Sequence, residues 1–294
     1  MTSWISGVFE ANGVNIHYLR TGGVKPPLVL LHGLMGSGAC WSPLARSLEA
    51  EYDVVMPDAR GHGNSSAPLH GYRYEDHASD VIELIRGLGL TAPILLGHSM
   101  GGMTAAVVAS QVSSMIRGVI LADPTFLSPE WQREVRDSDV AEQHRRVLSL
   151  DKCDALAQAR LRHTRRSSEI VELFADARQQ TRMSAFDVLT PPNPEYHQLV
   201  SRIDVPILLV IGDSPVVSLE TARELQSLNS RLRVEQIQDA GHGVPYDQPE
   251  RFGSVVRSFL RSVVTSSRPL TGASSGQRQV ESTGEHAIAA HAQN

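Results

Sequence analysis

Short runs of consecutive apolar residues alternate along the chain with longer segments whose apolar positions recur at helical spacing. The runs are Leu28-Val29-Leu30-Leu31, Val54-Val55-Met56, Ile94-Leu95-Leu96, Val119-Ile120-Leu121 and Ile207-Leu208-Leu209-Val210-Ile211. The segment 74–88 has helical spacing, with apolar positions at Ala78, Val81, Ile82, Ile85 and Leu88. Strands that are apolar throughout and alternate with amphipathic helices predict an α/β fold, in which a parallel sheet is covered on both faces.

The two ends of this pattern add further elements. Asn12-Gly13 separates residues 8–10 from residues 14–19, and Asn-Gly between strand-like segments predicts a β-hairpin. Near the other end, residues 232–237 predict a strand and residues 248–264 a closing helix. The predicted sheet therefore begins with an antiparallel pair.

One connection is much longer than a crossover requires. Parallel strands need about a dozen residues between them, whereas the chain runs from Pro124 to Asp204 before the next strand. Most of this stretch is charged with helical spacing, in the segments 139–150, 154–163 and 168–183. We interpret residues 125–203 as an inserted helical cap over the carboxyl edge of the sheet, where open α/β sheets bind ligands. The core is then 1–124 and 204–264, and the polar segment 265–294 is predicted to be a disordered tail.

The segment after the run Ile94-Leu95-Leu96 carries the clearest chemistry. Gly97-His98-Ser99-Met100-Gly101 follows an apolar run and precedes a run of small residues. A strand, a tight turn and a helix in this order expose a serine hydroxyl above the sheet and place a helix N-terminus behind it. The sequence therefore predicts Ser99 as a nucleophile.

Composition excludes several classes of function. The chain has 294 residues, a net charge of −5 and no long run of one sign, so neither nucleic acid nor a membrane is expected as a partner. The isolated Cys40 and Cys153 form neither a disulfide framework nor a metal site. No phosphate-binding glycine loop is present, and we expect no cofactor and no metal. Without a recognisable secretory signal, we expect a cytoplasmic protein.

Four motifs in order resemble the α/β-hydrolase fold family. They are His32-Gly33-Leu34-Met35-Gly36, Asp58-Ala59-Arg60-Gly61-His62-Gly63-Asn64-Ser65, Gly97-His98-Ser99-Met100-Gly101-Gly102 and Gly241-His242-Gly243. The resemblance covers about residues 8–264 and implies a mostly parallel, doubly wound sheet of eight strands. It also implies that Ser99 is the nucleophile and His242 the general base.

The same resemblance assigns supporting roles. The backbone N–H groups of Leu34 and Met100 are the expected oxyanion-hole donors. His32 and His98 resemble supporting residues, and His62 is interpreted as structural. The histidines at 286 and 291 are expected to be solvated and inert.

The acid that should orient His242 is the point of departure from the family pattern. In most of the family it follows the seventh strand, where this chain has Gly212-Asp213-Ser214-Pro215 with no acid at the expected spacing. Asp123, at the end of the sixth strand, occupies the place used by certain haloalkane dehalogenases and lactone hydrolases. We predict Asp123 as the acid, and Asp213 is the alternative.

The predicted activity is hydrolysis of a small to medium carboxylic ester or lactone through an acyl-enzyme. A serine nucleophile argues against haloalkane dehalogenases and epoxide hydrolases, which need a carboxylate. Carbon–carbon bond hydrolases, amidases and cofactor-free haloperoxidase-like enzymes share this machinery and stay open. A non-catalytic small-molecule receptor on the same fold is the alternative of another class, and oligomeric state is not predicted.

Substrate choice is expected to depend on the cap. The candidate pocket residues are Trp131, Phe174, Met183, Phe186, Leu189 and Tyr196, although packing of the cap explains each of them equally well. Nearby acidic residues match Arg162, Arg165 and Arg166, and we interpret these arginines as a solvated face and not as an anion site.

Overall fold

A single sheet of eight strands organises the computed structural model, which describes residues 4–265. The strands are β1 (Ile5–Ala11), β2 (Val14–Arg20), β3 (Pro27–Leu31), β4 (Asp53–Pro57), β5 (Ile94–His98), β6 (Gly118–Ala122), β7 (Ile207–Ile211) and β8 (Leu232–Gln236). Their order across the sheet is β1-β2-β4-β3-β5-β6-β7-β8. Only the β1–β2 and β2–β4 pairs are antiparallel. The predicted fold class, a mostly parallel eight-stranded sheet, is confirmed.

Helices cover both faces of this sheet. The α-helices of the described residues are α1 (Ser42–Leu48), α2 (Tyr74–Gly87), α3 (Met100–Gln111), α4 (Pro129–Asp137), α5 (Val140–Leu148), α6 (Lys152–Arg162), α7 (Ser168–Gln180), α8 (Tyr196–Arg202), α9 (Leu219–Leu228), α10 (Val244–Asp247) and α11 (Pro249–Thr265). Strands β4 to β7 are buried at every position because both of their faces are covered. Leu95 packs in the apolar cluster with α2, α3 and α9, whereas its neighbour Leu96 packs in the cluster with α1 and α11.

The long connection between β6 and β7 is helical, with α4 to α8 in it. The sequence pattern indicated α5, α6 and α7 but neither α4 nor α8. Helix α7 packs its Ile170 and Ala177 against Cys40 and Tyr246, so this connection lies over the loops at the carboxyl edge of the sheet. In contrast, Leu199 and Val200 of α8 pack in the same cluster as α3. The division into core and cap stays a prediction.

Two observations bear on the other expectations. No helix within residues 4–265 is both long and apolar enough to cross a membrane. Cys40 is buried and Cys153 exposed, and neither forms a disulfide. The predicted tail, apart from Thr265, lies outside the described residues, and so do the histidines at 286 and 291.

Candidate active site

The turn between β5 and α3 holds Ser99 in a backbone conformation that L-residues rarely adopt, with φ 55° and ψ −118°. A Cβ atom on Gly97 would lie 2.0 Å from the carbonyl oxygen of Gly101, and one on Gly101 would lie 2.3 Å from that of Leu31. Only glycine allows strand and helix to approach this closely. Such strain costs on the order of 1–3 kcal/mol and is typical of functional turns.

His242 links this serine to a carboxylate. It lies in the loop between β8 and α10, where its Nε2 is 2.9 Å from Ser99 Oγ and its Nδ1 is 2.6 Å from Asp123 Oδ2. Because a carboxylate only accepts, Nδ1 carries the hydrogen in this pairing, which leaves Nε2 free to accept the serine proton. The structure therefore brings together the serine, histidine and aspartate that the sequence singled out.

Asp123 is fully buried, and its carboxylate oxygens have three hydrogen-bond partners. Besides His242, the backbone N–H groups of Val216 and Val217 each donate to it at 2.9 Å. The alternative acid, Asp213, is exposed and accepts from the backbone N–H of Asp239 at 2.6 Å. Of the two candidates, only Asp123 contacts His242.

A second loop lies against the serine. A Cβ atom on Gly33 would be 3.1 Å from Ser99 Cβ, so the backbone after β3 passes directly beside the hydroxyl. Among the hydrogen bonds of residues 4–265, neither Leu34 N–H nor Met100 N–H has a backbone or side-chain acceptor. These are the two donors that the sequence assigned to a developing oxyanion.

Buried histidines hold that loop in place. His32 donates from Nδ1 to the carbonyl of Gly33 at 2.8 Å and accepts from the backbone N–H of Ala59 at 2.9 Å. His62 donates from Nδ1 to the carbonyl of Arg60 and accepts from Met35 N–H at 3.3 Å. Burial lowers the pKa of both rings, which keeps them neutral and able to accept these bonds. The structural reading of His62 agrees with this position, although its contact with Met35 had no sequence signal.

His98 supports the base from the other side. Its Nε2 donates to the backbone carbonyl of His242 at 2.9 Å, and the two ring centroids are 5.0 Å apart. Burial, followed by the neighbouring His242, lowers the pKa of His98 to about 3. A neutral His98 therefore fixes the loop that carries His242 without adding a second charge next to it.

A cavity of about 420 Å³ opens beside His242 and Leu34. We call the group of Ser99, Asp123, His242 and the backbone of Leu34 and Met100 the floor; Leu34 and His242 are its members that line the cavity. The opposite side comes from α6, α7 and the turn between them, and we call it the helical wall. The helical wall comprises Arg162, His163, Arg166, Phe174 and Arg178.

Of the six pocket residues predicted from the sequence, only Phe174 lines this cavity. Trp131 is 39% exposed on α4, Phe186 packs on His144 with ring centroids 4.8 Å apart, and Tyr196 stacks on Phe126 at 5.1 Å. Aromatic residues in amphipathic helices give the same pattern whether they pack helices or line a pocket. Tyr246, which does line it, follows the His242 motif and gave no separate signal.

The reading of Arg166 as part of a solvated face was wrong. Its side chain is 15% exposed, pairs with Asp247 at 2.8 Å and lies 5.7 Å from the centroid of the Phe174 ring. Arg162 and Arg165 are both exposed, and of the two only Arg162 lines the cavity. Asp247 is far from Arg166 along the chain, so the acids near it in sequence were the wrong ones to count.

In residues 4–265, no group of three or more histidine, cysteine or acidic side chains could hold a metal ion. What the site offers is a positioned hydroxyl, a histidine beside it, a buried carboxylate and two free backbone donors.

Comparison with known proteins identifies the fold over most of the chain. The sequence profile of the alpha/beta hydrolase fold matches residues 26–249. The chain is 27% identical to the N-formylmaleamate deformylase of Pseudomonas putida, over 88% of this chain and 98% of that protein. It is 29% identical to the putative 2-succinyl-6-hydroxy-2,4-cyclohexadiene-1-carboxylate synthase of Bacillus subtilis, over 80% and 90%. The esterase RhEst1 of Rhodococcus sp. ECU1013 superposes with a TM-score of 0.73 at 25% identity, over 90% of this chain and all of that one.

Proposed function

Because the chain belongs to the alpha/beta hydrolase fold family and is a hydrolase, we propose that it cleaves a small to medium carboxylic ester or lactone through an acyl-enzyme intermediate. The observation that carries the proposal is the chain of hydrogen bonds from Ser99 through His242 to Asp123. A serine hydroxyl is a weak nucleophile until a base takes its proton, and His242 is placed to be that base.

In the first half of the reaction, Ser99 Oγ attacks the carbonyl carbon while its proton passes to His242 Nε2. The carbonyl oxygen becomes an oxyanion, which accepts from the N–H groups of Leu34 and Met100. Asp123 stabilises the imidazolium and holds the tautomer. When the tetrahedral intermediate collapses, the bond to the alcohol breaks and His242 returns the proton to the departing oxygen.

In the second half, water replaces the alcohol. His242 takes a proton from the water, whose oxygen attacks the acyl carbon and releases the carboxylic acid. The proton then returns to Ser99 Oγ, and the site is restored. For a lactone, the alcohol and the acid are parts of one product.

An amide bond is the second candidate substrate, and the relative from Pseudomonas putida favours it. Its name says that it removes a formyl group from N-formylmaleamate, and it matches nearly the whole of both chains. The same floor serves an amide, provided that His242 protonates the departing nitrogen.

The test is a panel of 4-nitrophenyl esters of increasing acyl length beside the matched 4-nitroanilides, with the native protein and Ser99→Ala. We expect ester turnover that the substitution abolishes. A fluorophosphonate probe should add its mass to the peptide that contains Ser99 in the native protein only. If the probe leaves Ser99 unmodified and neither panel is hydrolysed, the protein is a receptor on this fold and the proposal is wrong.

A further inference from the structure

The helical wall carries more positive charge than the acidic side chains around the cavity neutralise. Arg162 lies at the end of α6, His163 and Arg166 follow it, and Arg178 lies in the last turn of α7. All four line the cavity that also contains His242 and Leu34. An anion in this cavity would therefore lie between the wall and the floor.

Arg166 is the compensated member of the group. Its guanidinium binds Asp247, which also accepts from the backbone N–H of Gly241. Asp247 is the single acidic side chain among the described residues that line the cavity. Its charge is thus used to join Arg166 to the loop that carries His242.

Arg162 and Arg178 have no such partner within residues 4–265. The acidic groups nearest along α7 are engaged elsewhere, Glu172 with Arg160 and Asp176 with Lys152, on exposed side chains. The Nε atom of Arg178 is buried without an acceptor. Burial, together with the positive charge of Arg162, lowers the pKa of Arg178, which stays far above neutrality as an arginine does.

His163 does not offset this charge. Burial lowers its pKa, and Arg166, Arg162 and Arg178 lower it further against the smaller opposing effect of Asp247. The wall near neutral pH therefore consists of two uncompensated guanidinium groups, one paired guanidinium and a neutral imidazole. Leaving the buried Nε of Arg178 without an acceptor costs free energy, and an anion that accepts from it removes that cost.

Size and lining restrict the anion. A cavity of about 420 Å³ suits a small molecule. Beside its charged and polar groups, the lining includes the apolar side chains of Val147, Ala155 and Phe174 and the ring of Tyr246. A molecule that spans it needs an anionic end, an apolar middle and a reactive carbonyl at the other end.

We propose that Arg178 and Arg162 bind a free carboxylate of the substrate, so that this enzyme prefers esters of dicarboxylic acids with one carboxylate left unesterified. The proposal rests on the proposed function, because the second end of the molecule must reach Ser99. A guanidinium matches a carboxylate with two parallel hydrogen bonds, which fixes the distance between the bound carboxylate and the cleaved bond. The preferred substrate therefore has one optimal chain length.

The test compares monoethyl glutarate, monoethyl adipate and monoethyl pimelate with the neutral amide of each, in which the free carboxylate is replaced by a carboxamide. We expect the charged ester of optimal length to exceed its amide in kcat/KM by about 10- to 100-fold, the range for a hydrogen bond to a charged group. Arg178→Gln should move this ratio towards 1, mostly through KM, and added salt should do the same in the native protein.

Arg160→Gln is the control, because Arg160 lies on the neighbouring helix α6, pairs with Glu172 of α7 and does not line the cavity. It should leave both rates unchanged. If Arg178→Gln lowers the rates for charged and neutral esters equally, Arg178 has a structural role and the proposal is wrong, although the proposed function survives.

Binding to Ser99→Ala separates the two proposals, since it needs no turnover. Calorimetry should detect monoethyl adipate, but not its amide, and the double variant Ser99→Ala, Arg178→Gln should lose the signal. Binding without hydrolysis by the native protein supports the anion site and contradicts the proposed function. If inorganic phosphate binds with the same affinity as monoethyl adipate and displaces it, the wall is a general anion site and the proposal of a carboxylate is wrong.

Discussion

The floor and the helical wall of the cavity differ in how their polar groups are compensated. On the floor, both carboxylate oxygens of Asp123 are bonded, and both ring nitrogens of His242 have partners. On the wall, Arg178 has a buried nitrogen without an acceptor. A serine, a histidine and an aspartate that are already bonded to one another suit a reaction whose groups must be preorganised. A wall that is incomplete suits recognition, because the ligand supplies what is missing.

The largest expected effect separates chemistry from recognition. Ser99→Ala removes the nucleophile, and loss of a catalytic serine lowers kcat by about 10⁶-fold in enzymes that use one. The wall does not contact Ser99, so carboxylate binding measured by calorimetry should persist. Substantial ester turnover by this variant would show that the floor is not the site of the reaction.

The next effect tests the hydrogen bonds that Asp123 makes on the floor. Asp123→Asn presents an amide to His242 and to the N–H groups of Val216 and Val217, so the histidine tautomer is no longer fixed. We expect kcat to fall by about 10⁴-fold. Asp213→Asn is the control, as this side chain is exposed and bonded to Asp239. Equal losses from the two substitutions would contradict the assignment of the acid.

A smaller effect is expected where the wall meets the floor. A Cβ atom on Gly243 would lie 2.2 Å from Nη2 of Arg166, whereas one on Gly241 would meet Asp247 at an ordinary 3.6 Å. Gly243→Ala should displace Arg166 from Asp247 and shift His242, with up to about 10²-fold loss in kcat. Gly241→Ala should leave kcat nearly unchanged. In an Arg166→Ala background, Gly243→Ala should cost nothing further.

The smallest effect concerns pH and stability. His77 is buried and lines a small cavity together with Met100. Its Nε2 has no partner, and burial lowers its pKa to about 3. As pH falls below 6.5, the unfolded state takes up a proton that folded His77 does not, so the free energy of unfolding decreases. From pH 7 to pH 5 this amounts to about 2 kcal/mol.

Urea unfolding at pH 7 and pH 5 measures this contribution. In His77→Leu the decrease between the two pH values should be smaller by that amount, while the exposed His70→Gln should behave as the native protein does. An unchanged decrease in His77→Leu would mean that the folded protein protonates His77 easily.

The sequence predicted the sheet and the serine turn because their signals are local. Gly97 and Gly101 are required by contacts with Gly101 and Leu31 that any strand–turn–helix of this kind makes. The acid could not be fixed in this way, since the bonds of Asp123 come from residues 216, 217 and 242, which are distant along the chain. The wall was missed for the same reason. Whether an arginine is solvated depends on which distant acid it reaches, as Arg166 reaches Asp247.

The main-chain bonds to Asp123 have a consequence for mutational tolerance. Val216 and Val217 contribute only their N–H groups to the carboxylate. Every amino acid except proline carries that group, so a saturation library at the partly exposed Val216 should tolerate most substitutions and reject proline. Asp123 itself follows a strand that pairs in register with the one before Ser99, His98 opposite Ala122. The turn after β7 therefore tolerates most changes of sequence. The separation of acid and nucleophile does not depend on that turn, because it is set by the pairing of β5 with β6.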